Sequence, residues 1–410
     1  MLLGELPPDY TLVVSNGLPY LAFAEDVSQV AFVAKGKNGP VLIANGRQTD
    51  PYLGLRYPVF SGTGAVLFDT VEKNPGGKIA YLVNMTLTEF FDKKRTDDLS
   101  TLPDIDTIQP HFSPDGKHVA VKIIKGNSEA VLLDGKAGTW YDKVVSPSFN
   151  PRTSNVAFFA KRGVQWLMID GVDQRKLDYE PSYLQFDYQG KPIILGRPIV
   201  GGNTSYDKEF ADFGESGRGP LYKSVGPLVT NPVGPGFAYV AEDSEGRKYV
   251  LHGDRRDGPY GGFVFPLRFT EDGKHLFYAV ISHEESRFIF DDHSYRERGL
   301  ISGLVANANG FAYATVTEKQ ARIVLNGREV ASFTGDGPIP SADSIALSSD
   351  ALKVAYVVEY PKKGMQVRCD EFASPFYARI NGLQFRNNGS DLVFGAAKGR
   401  KFVKVTVTLT

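Results

Sequence analysis

The chain has a single cysteine, Cys369, among its 410 residues. One cysteine excludes an intramolecular disulfide, and because Cys369 ends a strand-like run, we expect a small buried hydrophobe rather than a reactive thiol. Basic and acidic residues nearly cancel, 46 against 47, which leaves a formal net charge of −1. Nucleic acids and anionic membranes favour a basic excess in their partners, so this balance argues against both.

No stretch reaches the roughly 18 consecutive apolar residues that a membrane helix needs. The first residues, Met1–Pro8, have neither the basic region nor the apolar core of a signal peptide, so the sequence as it stands predicts a cytoplasmic protein. An exported protein whose leader has been removed would look the same, which leaves a periplasmic or secreted location open. No long helical period appears along the chain.

Motifs that would indicate a catalytic or cofactor site are also missing. The six histidines form no His-Glu-x-x-His pair, and no glycine-rich phosphate loop precedes a helix. The segment Gly214–Arg218 comes nearest to the nucleophile elbow of a hydrolase, but it lacks the closing glycine. The sequence therefore predicts no catalytic residue, no metal ligand and no cofactor.

Glycine (43), proline (25) and aromatic residues (12%) are plentiful, which is typical of short strands joined by tight turns. One phrase is repeated: Phe112–Val121 reads FSPDGKHVAV, and Phe269–Tyr278 reads FTEDGKHLFY. An apolar or small residue just before each such turn serves as a register mark, and these marks recur about every 40 residues. The ten marks are Phe23, Phe60, Phe112, Phe149, Phe186, Thr230, Phe269, Val305, Leu347 and Phe385.

The chemistry of the turn explains the phrase. Proline presets φ at the first corner, Asp or Asn bonds the local backbone, and glycine accepts a left-handed conformation. An apolar strand follows each turn, as expected for strands buried on both faces, and the next strand often ends in an Asp-Gly or Asn-Gly hairpin signal. An aromatic residue recurs shortly before five of the marks, and we expect it to pack between neighbouring sheets. These aromatics are Tyr52, Tyr141, Tyr179, Tyr222 and Tyr260.

A period of about 40 residues with four short strands per unit is typical of a β-propeller. The sequence thus predicts an all-β propeller of about 8–10 four-stranded blades, in one domain over residues 1–410. We expect an N-terminal strand at about residues 10–15 to complete the last blade and close a single ring, because closure removes exposed edges. The alternative is two five-bladed rings divided near residues 201–220, since five marks fall on either side.

The phrase Phe112–Lys117 and the strand after it resemble the WD40-like propeller repeat of TolB-type proteins. Similar repeats occur in the propellers of prolyl-oligopeptidase-like and tricorn-type proteases. The resemblance covers most of the chain as a repeat, and its close matches are Phe112–Ala120 and Phe269–Tyr278. The chain shows neither the α/β domain of TolB-type proteins nor the hydrolase domain of the oligopeptidases. The resemblance therefore implies a bare propeller of bacterial type that serves as a binding surface.

Two segments, residues 85–106 and 201–222, are longer than the repeat requires, and we interpret them as insertions. Loops of more than about 12 residues in a compact domain are commonly functional. In the second segment, three carboxylates could bind Ca²⁺ or a basic partner, but they do not match an EF-hand loop. A plain solvated loop is the favoured interpretation, and a contact with a partner is the next. These candidate partner-contact residues are Tyr206, Asp207, Glu209 and Asp212.

Together these features predict a non-enzymatic scaffold that binds a protein or peptide on one rim, because a rigid ring gathers many loops on one face. The sequence does not identify the partner, and a second copy of the chain is one candidate. The alternative is a hydrolase or lyase acting on glycan or peptide at the central channel. That reading would require Asp, Glu, His or Arg side chains converging in one pocket.

Overall fold

The computed structural model describes residues 1–15, 18–51, 54–55, 58–60, 66–71, 79–83, 86–89, 111–114, 118–134, 136–282, 285–334 and 339–409. Within them the chain is almost entirely β-strand, and only Gly214–Ser216 and Asn387–Gly389 form 3-10 helices. The strands form ten antiparallel sheets of four or five strands and one two-stranded ribbon. Among these residues no helix is long and apolar enough to cross a membrane.

The sheets follow one another along the chain. It begins with β1 (Leu2–Glu5), β2 (Thr11–Leu12) and a ribbon of β3 (Val14–Ser15) and β4 (Leu18–Pro19). The first sheet joins β2 to β5 (Leu21–Phe23), β6 (Val30–Gly36), β7 (Gly39–Ala44) and β8 (Arg47–Gln48). The second contains β9 (Gly54–Leu55), β10 (Val59–Phe60), β11 (Val66–Val71), β12 (Ile79–Val83) and β13 (Thr86–Glu89). The third contains β14 (His111–Phe112), β15 (Val119–Lys125), β16 (Ser128–Leu133) and β17 (Lys136–Ala137).

Four sheets of four strands follow. The fourth contains β18 (Lys143–Phe149), β19 (Val156–Arg162), β20 (Gln165–Asp170) and β21 (Asp173–Leu177). The fifth contains β22 (Tyr179–Phe186), β23 (Pro192–Val200), β24 (Asn203–Thr204) and β25 (Phe210–Asp212). The sixth contains β26 (Ser224–Thr230), β27 (Phe237–Glu242), β28 (Lys248–His252) and β29 (Arg255–Tyr260). The seventh contains β30 (Phe263–Phe269), β31 (Leu276–Ile281), β32 (Ser286–Phe290) and β33 (His293–Glu297).

Three sheets complete the chain. The eighth contains β34 (Leu300–Asn307), β35 (Gly310–Val316), β36 (Gln320–Leu325) and β37 (Arg328–Thr334). The ninth contains β38 (Ile339–Leu347), β39 (Val354–Tyr360), β40 (Gly364–Cys369) and β41 (Phe372–Ala373). The tenth contains β42 (Arg379–Arg386), β43 (Asp391–Lys398), β44 (Lys401–Thr408) and the N-terminal β1.

The second strand of the fourth, seventh, eighth, ninth and tenth sheets lies in the core. Strands β19, β31, β35, β39 and β43 are runs of buried residues with no polar face, as the apolar sequence after each turn predicts. The hairpin signals behave as expected too: Asn326 and Gly327 between β36 and β37 both have positive φ, 49° and 79°. Successive four-stranded antiparallel sheets packed face to face make a β-propeller, and the predicted fold class is confirmed.

Apolar clusters join neighbouring sheets. From the third sheet to the tenth, each junction between consecutive sheets has its own cluster. Another cluster joins the first and second sheets, and a further one joins the tenth sheet to the first. In that last cluster, the rings of Phe32 and Phe402 lie 4.5 Å apart. No cluster is described between the second and third sheets, where residues 90–110 fall outside the described ranges. These contacts favour one ring over two, and the ring and its blade number stay predictions.

The strand that completes the tenth sheet lies earlier than predicted. Strand β1, at Leu2–Glu5, pairs antiparallel with β44, whereas Thr11–Leu12 pairs with β6 of the first sheet. The expectation for residues 10–15 was therefore wrong about position. The physical reason is burial, because Leu3 is 7% exposed in the cluster between the tenth and first sheets, while Val14 and Ser15 are exposed.

The two expected insertions contribute strands. In the second one, β24 and β25 both pair with β23, and Glu209 forms an isolated bridge with Tyr222. Residues 210–222 therefore supply the outer part of the fifth sheet rather than a free loop. In the first, Thr86–Glu89 is β13 of the second sheet, and residues 90–106 lie outside the described part of the chain.

Candidate functional site

The first strand of each sheet from the fourth to the tenth carries a β-bulge. Proline or glycine stands at or beside most of these bulges, because a bulged residue leaves the hydrogen-bond ladder and needs no N–H. Neighbouring first strands also contact each other, as β34 does with β38 and β38 with β42. First strands surround the central channel of a propeller, so the bulges shape the channel wall. The proline and glycine positions are Pro147, Pro181, Gly226, Pro227, Pro266, Gly303, Pro340 and Gly382.

A cavity of ≈ 890 Å³ opens on the first strands of the seventh to tenth sheets. Its wall is apolar along the strands, where Leu304, Val305, Leu347 and Leu383 lie, and polar at the turns that end them. The polar lining residues include Glu271, Asp272, Asn307, Gln384 and Asn387. This volume lies within the range of about 300–1,000 Å³ that is usual for ligand pockets.

A second cavity, of ≈ 500 Å³, lies at the bulges of β30 and β34. Phe265, Pro266, Ser302 and Gly303 form part of its wall. The two cavities share lining residues, so they adjoin, and we call them together the channel groove. The shared residues are Arg268, Leu304, Val305 and Ile345.

The bulge end of the channel groove presents an exposed aromatic side chain and an unpaired hydroxyl. Phe265 is 64% exposed, although a phenylalanine side chain gains free energy from burial. The Ser302 Oγ atom is buried and has no hydrogen-bond partner among the described residues. Two residues before Phe265, Phe263 is 74% exposed and lines neither cavity of the groove. These two phenylalanines therefore form a natural pair for comparison.

The turn end of the channel groove carries charged groups. The Thr270 hydroxyl donates a hydrogen bond of 2.6 Å to Asp272, and the Lys274 ammonium lies 3.3 Å from the other carboxylate oxygen. The hydrogen bond from Thr270 lowers the pKa of Asp272 below its usual value, so this carboxylate is ionised and already bound. Arg268 and Arg386 line the same cavity.

A ladder of asparagines holds the turns next to each other at this end. The Nδ2 atoms of Asn231 and Asn307 donate to the backbone carbonyls of Gly273 and Ser348, at 2.7 and 2.8 Å. Asn150 does the same to Gly190 at 3.0 Å. Each bond links the turn of one sheet to the turn of the next. We call this set the asparagine ladder, and it fixes the spacing of the turns around part of the channel.

The four candidate partner-contact residues differ in their exposure to solvent. Tyr206 is 71% exposed, and Asp207 is exposed beside it. Glu209 and Asp212 are each only 7% exposed, in the body of the fifth sheet. Only Tyr206 and Asp207 are therefore placed to meet a partner, and that contact stays a prediction.

The two buried carboxylates join strands. Glu209 pairs with the Arg197 guanidinium at 2.7 Å and accepts a hydrogen bond of 3.0 Å from the Val225 backbone N–H of the sixth sheet. Asp212 accepts a hydrogen bond of 2.6 Å from the Tyr179 hydroxyl, and burial together with this bond raises the pKa of Tyr179. Both carboxylates are satisfied inside the protein, so they stabilise the fifth sheet and its junction.

The sequence contains a signal for the structural role of Glu209, because another repeat has a glutamate in the same place. In the third sheet, Glu129 forms the same backbone bridge with Tyr141 as Glu209 forms with Tyr222, and its carboxylate likewise accepts the backbone N–H of Val144 in the next sheet. In both cases the glutamate precedes the recurring tyrosine of its repeat. Aligning the repeats on their tyrosines would have placed Glu209 in a strand.

The recurring tyrosines pack between sheets as predicted. Tyr141 and Tyr179 are 5% and 1% exposed, and each belongs to the cluster between its own sheet and a neighbour. Tyr222 and Tyr260 pack partly buried against the clusters on either side of the sixth sheet. Tyr52 lies outside the described residues.

Cys369 is buried, 1% exposed, in the cluster between the ninth and tenth sheets, as expected of a small hydrophobe. Burial raises the pKa of its thiol to about 12, so it stays protonated at neutral pH. In the part of the chain that the structure describes, no three His, Cys, Asp or Glu side chains are grouped to hold a metal ion.

The sequence matches no protein-family model and no curated protein. Among solved structures, it is similar to the β-propeller domain of the Trilobed protease from Pyrococcus furiosus, with 10% identity over 68% of this chain and 94% of that one (TM-score 0.36). The Dos1 propeller shows 11% identity over 70% and 83% (TM-score 0.40), and the dihydro-heme d1 dehydrogenase NirN, solved with DHE, shows 13% over 80% and 78% (TM-score 0.41). These similarities concern the fold and carry nothing about activity to this chain.

Proposed function

We propose that this propeller is a binding protein that holds an extended peptide segment in the channel groove. The observation that carries the proposal is the continuity of two cavities, ≈ 890 and ≈ 500 Å³, along the first strands of the seventh to tenth sheets. A rigid ring of packed sheets holds this groove in place, so it needs little reorganisation to accept a ligand.

The chemistry of the wall suits a peptide. Apolar side chains such as Leu304 and Leu383 line the strands and polar groups line the turns, and a peptide likewise offers apolar side chains and backbone amides. Ser302 lines the same wall, and its buried hydroxyl has no hydrogen-bond partner among the described residues. Phe265, exposed at the bulge end, offers a face on which an apolar side chain can pack.

The test measures binding of an immobilised library of peptides of about eight residues to the whole protein, followed by calorimetry on the best binders. We expect Phe265→Ala to weaken binding about 10-fold, because aromatic residues that bury surface carry much of the energy of an interface. Phe263→Ala is the matched control and should bind like the wild type. Equal weakening of peptide binding by both variants would contradict the proposal. So would a photo-reactive version of the best peptide that crosslinks to residues outside the groove.

The hydrolase or lyase at the central channel remains the alternative from the sequence. Two carboxylates held on either side of a substrate are the usual requirement of a glycosidase. Among the described residues that line the groove, the acidic ones are Glu271 and Asp272, neighbours on one turn, and Asp272 is bound by Thr270 and Lys274. No specific observation favours the enzyme, and binding is the better supported function.

A further inference from the structure

Arg268 occupies a special position in the channel groove. It lines both cavities, and it stands next to the last residue of β30, where the strand passes from the bulge end to the turn end. Its side chain is exposed, and it makes no hydrogen bond or ion pair with another described residue. A residue with a free guanidinium group thus lines both cavities.

Arg386, the last residue of β42, lines the larger cavity as well. It is exposed, and no ion pair or hydrogen bond joins it to a described side chain. Its charge helps to lower the pKa of Asp26 in the first sheet, although hydrogen bonds from Ser28 to that carboxylate have the larger effect. Asp26 is therefore already satisfied by Ser28, and Arg386 keeps its donors available.

Arg268 and Arg386 differ from the arginines of this protein that are matched to a carboxylate. Among the described residues, eight arginines form ten ion pairs with Asp or Glu, and the pairs with distances of at least 2.5 Å span 2.7–4.0 Å. The arginines concerned are Arg175, Arg197, Arg218, Arg247, Arg255, Arg287, Arg296 and Arg322.

The carboxylates in the groove do not balance the two arginines. Asp272 is held by Thr270 and Lys274, which leaves Glu271 as the acidic lining residue without a partner among the described residues. Two free positive groups thus face one free negative group. Apolar side chains such as Leu304 and Leu383 lie in the same wall as the two arginines.

We propose that Arg268 and Arg386 bind a carboxylate group of the peptide in the channel groove, either an Asp or Glu side chain or the C-terminal carboxylate. The assignment rests on the proposed function and adds the chemical class of the ligand. Planar guanidinium donors match the two oxygens of a carboxylate, and such charge-assisted bonds are shorter and stronger than neutral ones.

The experiment compares matched peptides on the whole protein by calorimetry. One pair differs by Glu against Gln at a single position, and another differs by a free against an amidated C-terminus, so the two sources of carboxylate are separated. For the carboxylate peptide, we expect Arg268→Gln to weaken binding about 10- to 100-fold, which is typical of losing a hydrogen bond to a charged group. The matched neutral peptide, with Gln or with an amidated C-terminus, should bind the wild-type protein and the variant equally.

Three further variants and the dependence on ionic strength test the same assignment. Arg386→Gln should also weaken carboxylate binding, and Glu271→Gln should strengthen it a few-fold by removing a like charge. Arg328→Gln, an exposed arginine on the outer strand β37, removes the same charge away from the groove and should leave binding unchanged. Carboxylate binding should also weaken as ionic strength rises.

The outcomes separate this inference from the proposed function. If no peptide binds the wild-type protein, both are overturned. If peptides bind and Phe265→Ala weakens them, but acidic and neutral peptides bind equally well, the groove stands and the carboxylate assignment is overturned. The same conclusion follows if Arg328→Gln weakens binding as much as Arg268→Gln does.

Discussion

Single residues of the repeated turn carry two separate constraints, backbone conformation and space. Gly273 has a φ of 71°, and a Cβ atom at this position would lie 2.1 Å from the Asn231 Oδ1 atom of the neighbouring sheet. Gly126, in the hairpin between β15 and β16, has a φ of 57° but open space around it. Replacing each glycine with alanine therefore separates the effect of backbone strain from that of a steric clash.

We expect Gly126→Ala to lower the free energy of unfolding by about 1 kcal/mol, because only the left-handed backbone is strained. Gly273→Ala should lower it by about 2–4 kcal/mol, since the methyl group also displaces Asn231 and its hydrogen bond. Urea unfolding followed by circular dichroism measures both. Equal losses would mean that Asn231 moves aside without cost and would contradict this explanation.

At the scale of elements, the turns alternate between two kinds. The fourth, sixth and eighth sheets carry the donors of the asparagine ladder, and the fifth, seventh and ninth carry its acceptors. The turn that begins at Asn150 lacks the glycine of the repeated phrase. In the structure, the Asn150 side chain donates a hydrogen bond to the Gly190 carbonyl of the next sheet. This partner lies 40 residues away, so local turn chemistry could not reveal it.

The ladder predicts different effects for two opposite substitutions. In Asn231→Asp, the carboxylate keeps the oxygen that accepts the Val233 N–H but loses the donor to the Gly273 carbonyl. The free energy of unfolding should fall by about 1–3 kcal/mol. Asp187→Asn is the control, because Asp187 only accepts local N–H groups, and its effect should stay within about 0.5 kcal/mol. Similar losses from both substitutions in urea unfolding would show that the ladder contributes nothing.

At the scale of the whole molecule, the N-terminal strand ties the tenth sheet to the first. Leu3 is 7% exposed in the cluster that these sheets share, while Leu2, its neighbour, is 54% exposed. The pairing of β1 with β44 also covers the edge of the tenth sheet, which would otherwise be open to another chain.

We expect Leu3→Ala to lower the free energy of unfolding by about 2–4 kcal/mol, because it leaves a cavity between the two sheets. Leu2→Ala should change it by less than about 0.5 kcal/mol, since that side chain is largely in solvent. Thermal unfolding of the two variants compares them directly. A loss at Leu2 equal to that at Leu3 would contradict the described register of β1.

The sequence alone determined the features that depend on near neighbours. The buried run of Val354–Tyr360, the left-handed glycine of the turn at Gly273 and the burial of Tyr141 all follow from local spacing and side-chain chemistry. Repetition of these features every 40 residues or so was enough to predict an all-β propeller.

Only the tertiary structure decided what depends on distant segments meeting. Leu2–Glu5 rather than residues 10–15 completes the last sheet, and Glu209 is buried rather than exposed, because each finds a partner strand that local spacing cannot identify. The channel groove likewise brings together Arg268 and Arg386, from sheets far apart in the chain. Hydrophobic spacing specifies strands, but the packing of sheets decides which side chains share a cavity and which charges stay unpaired.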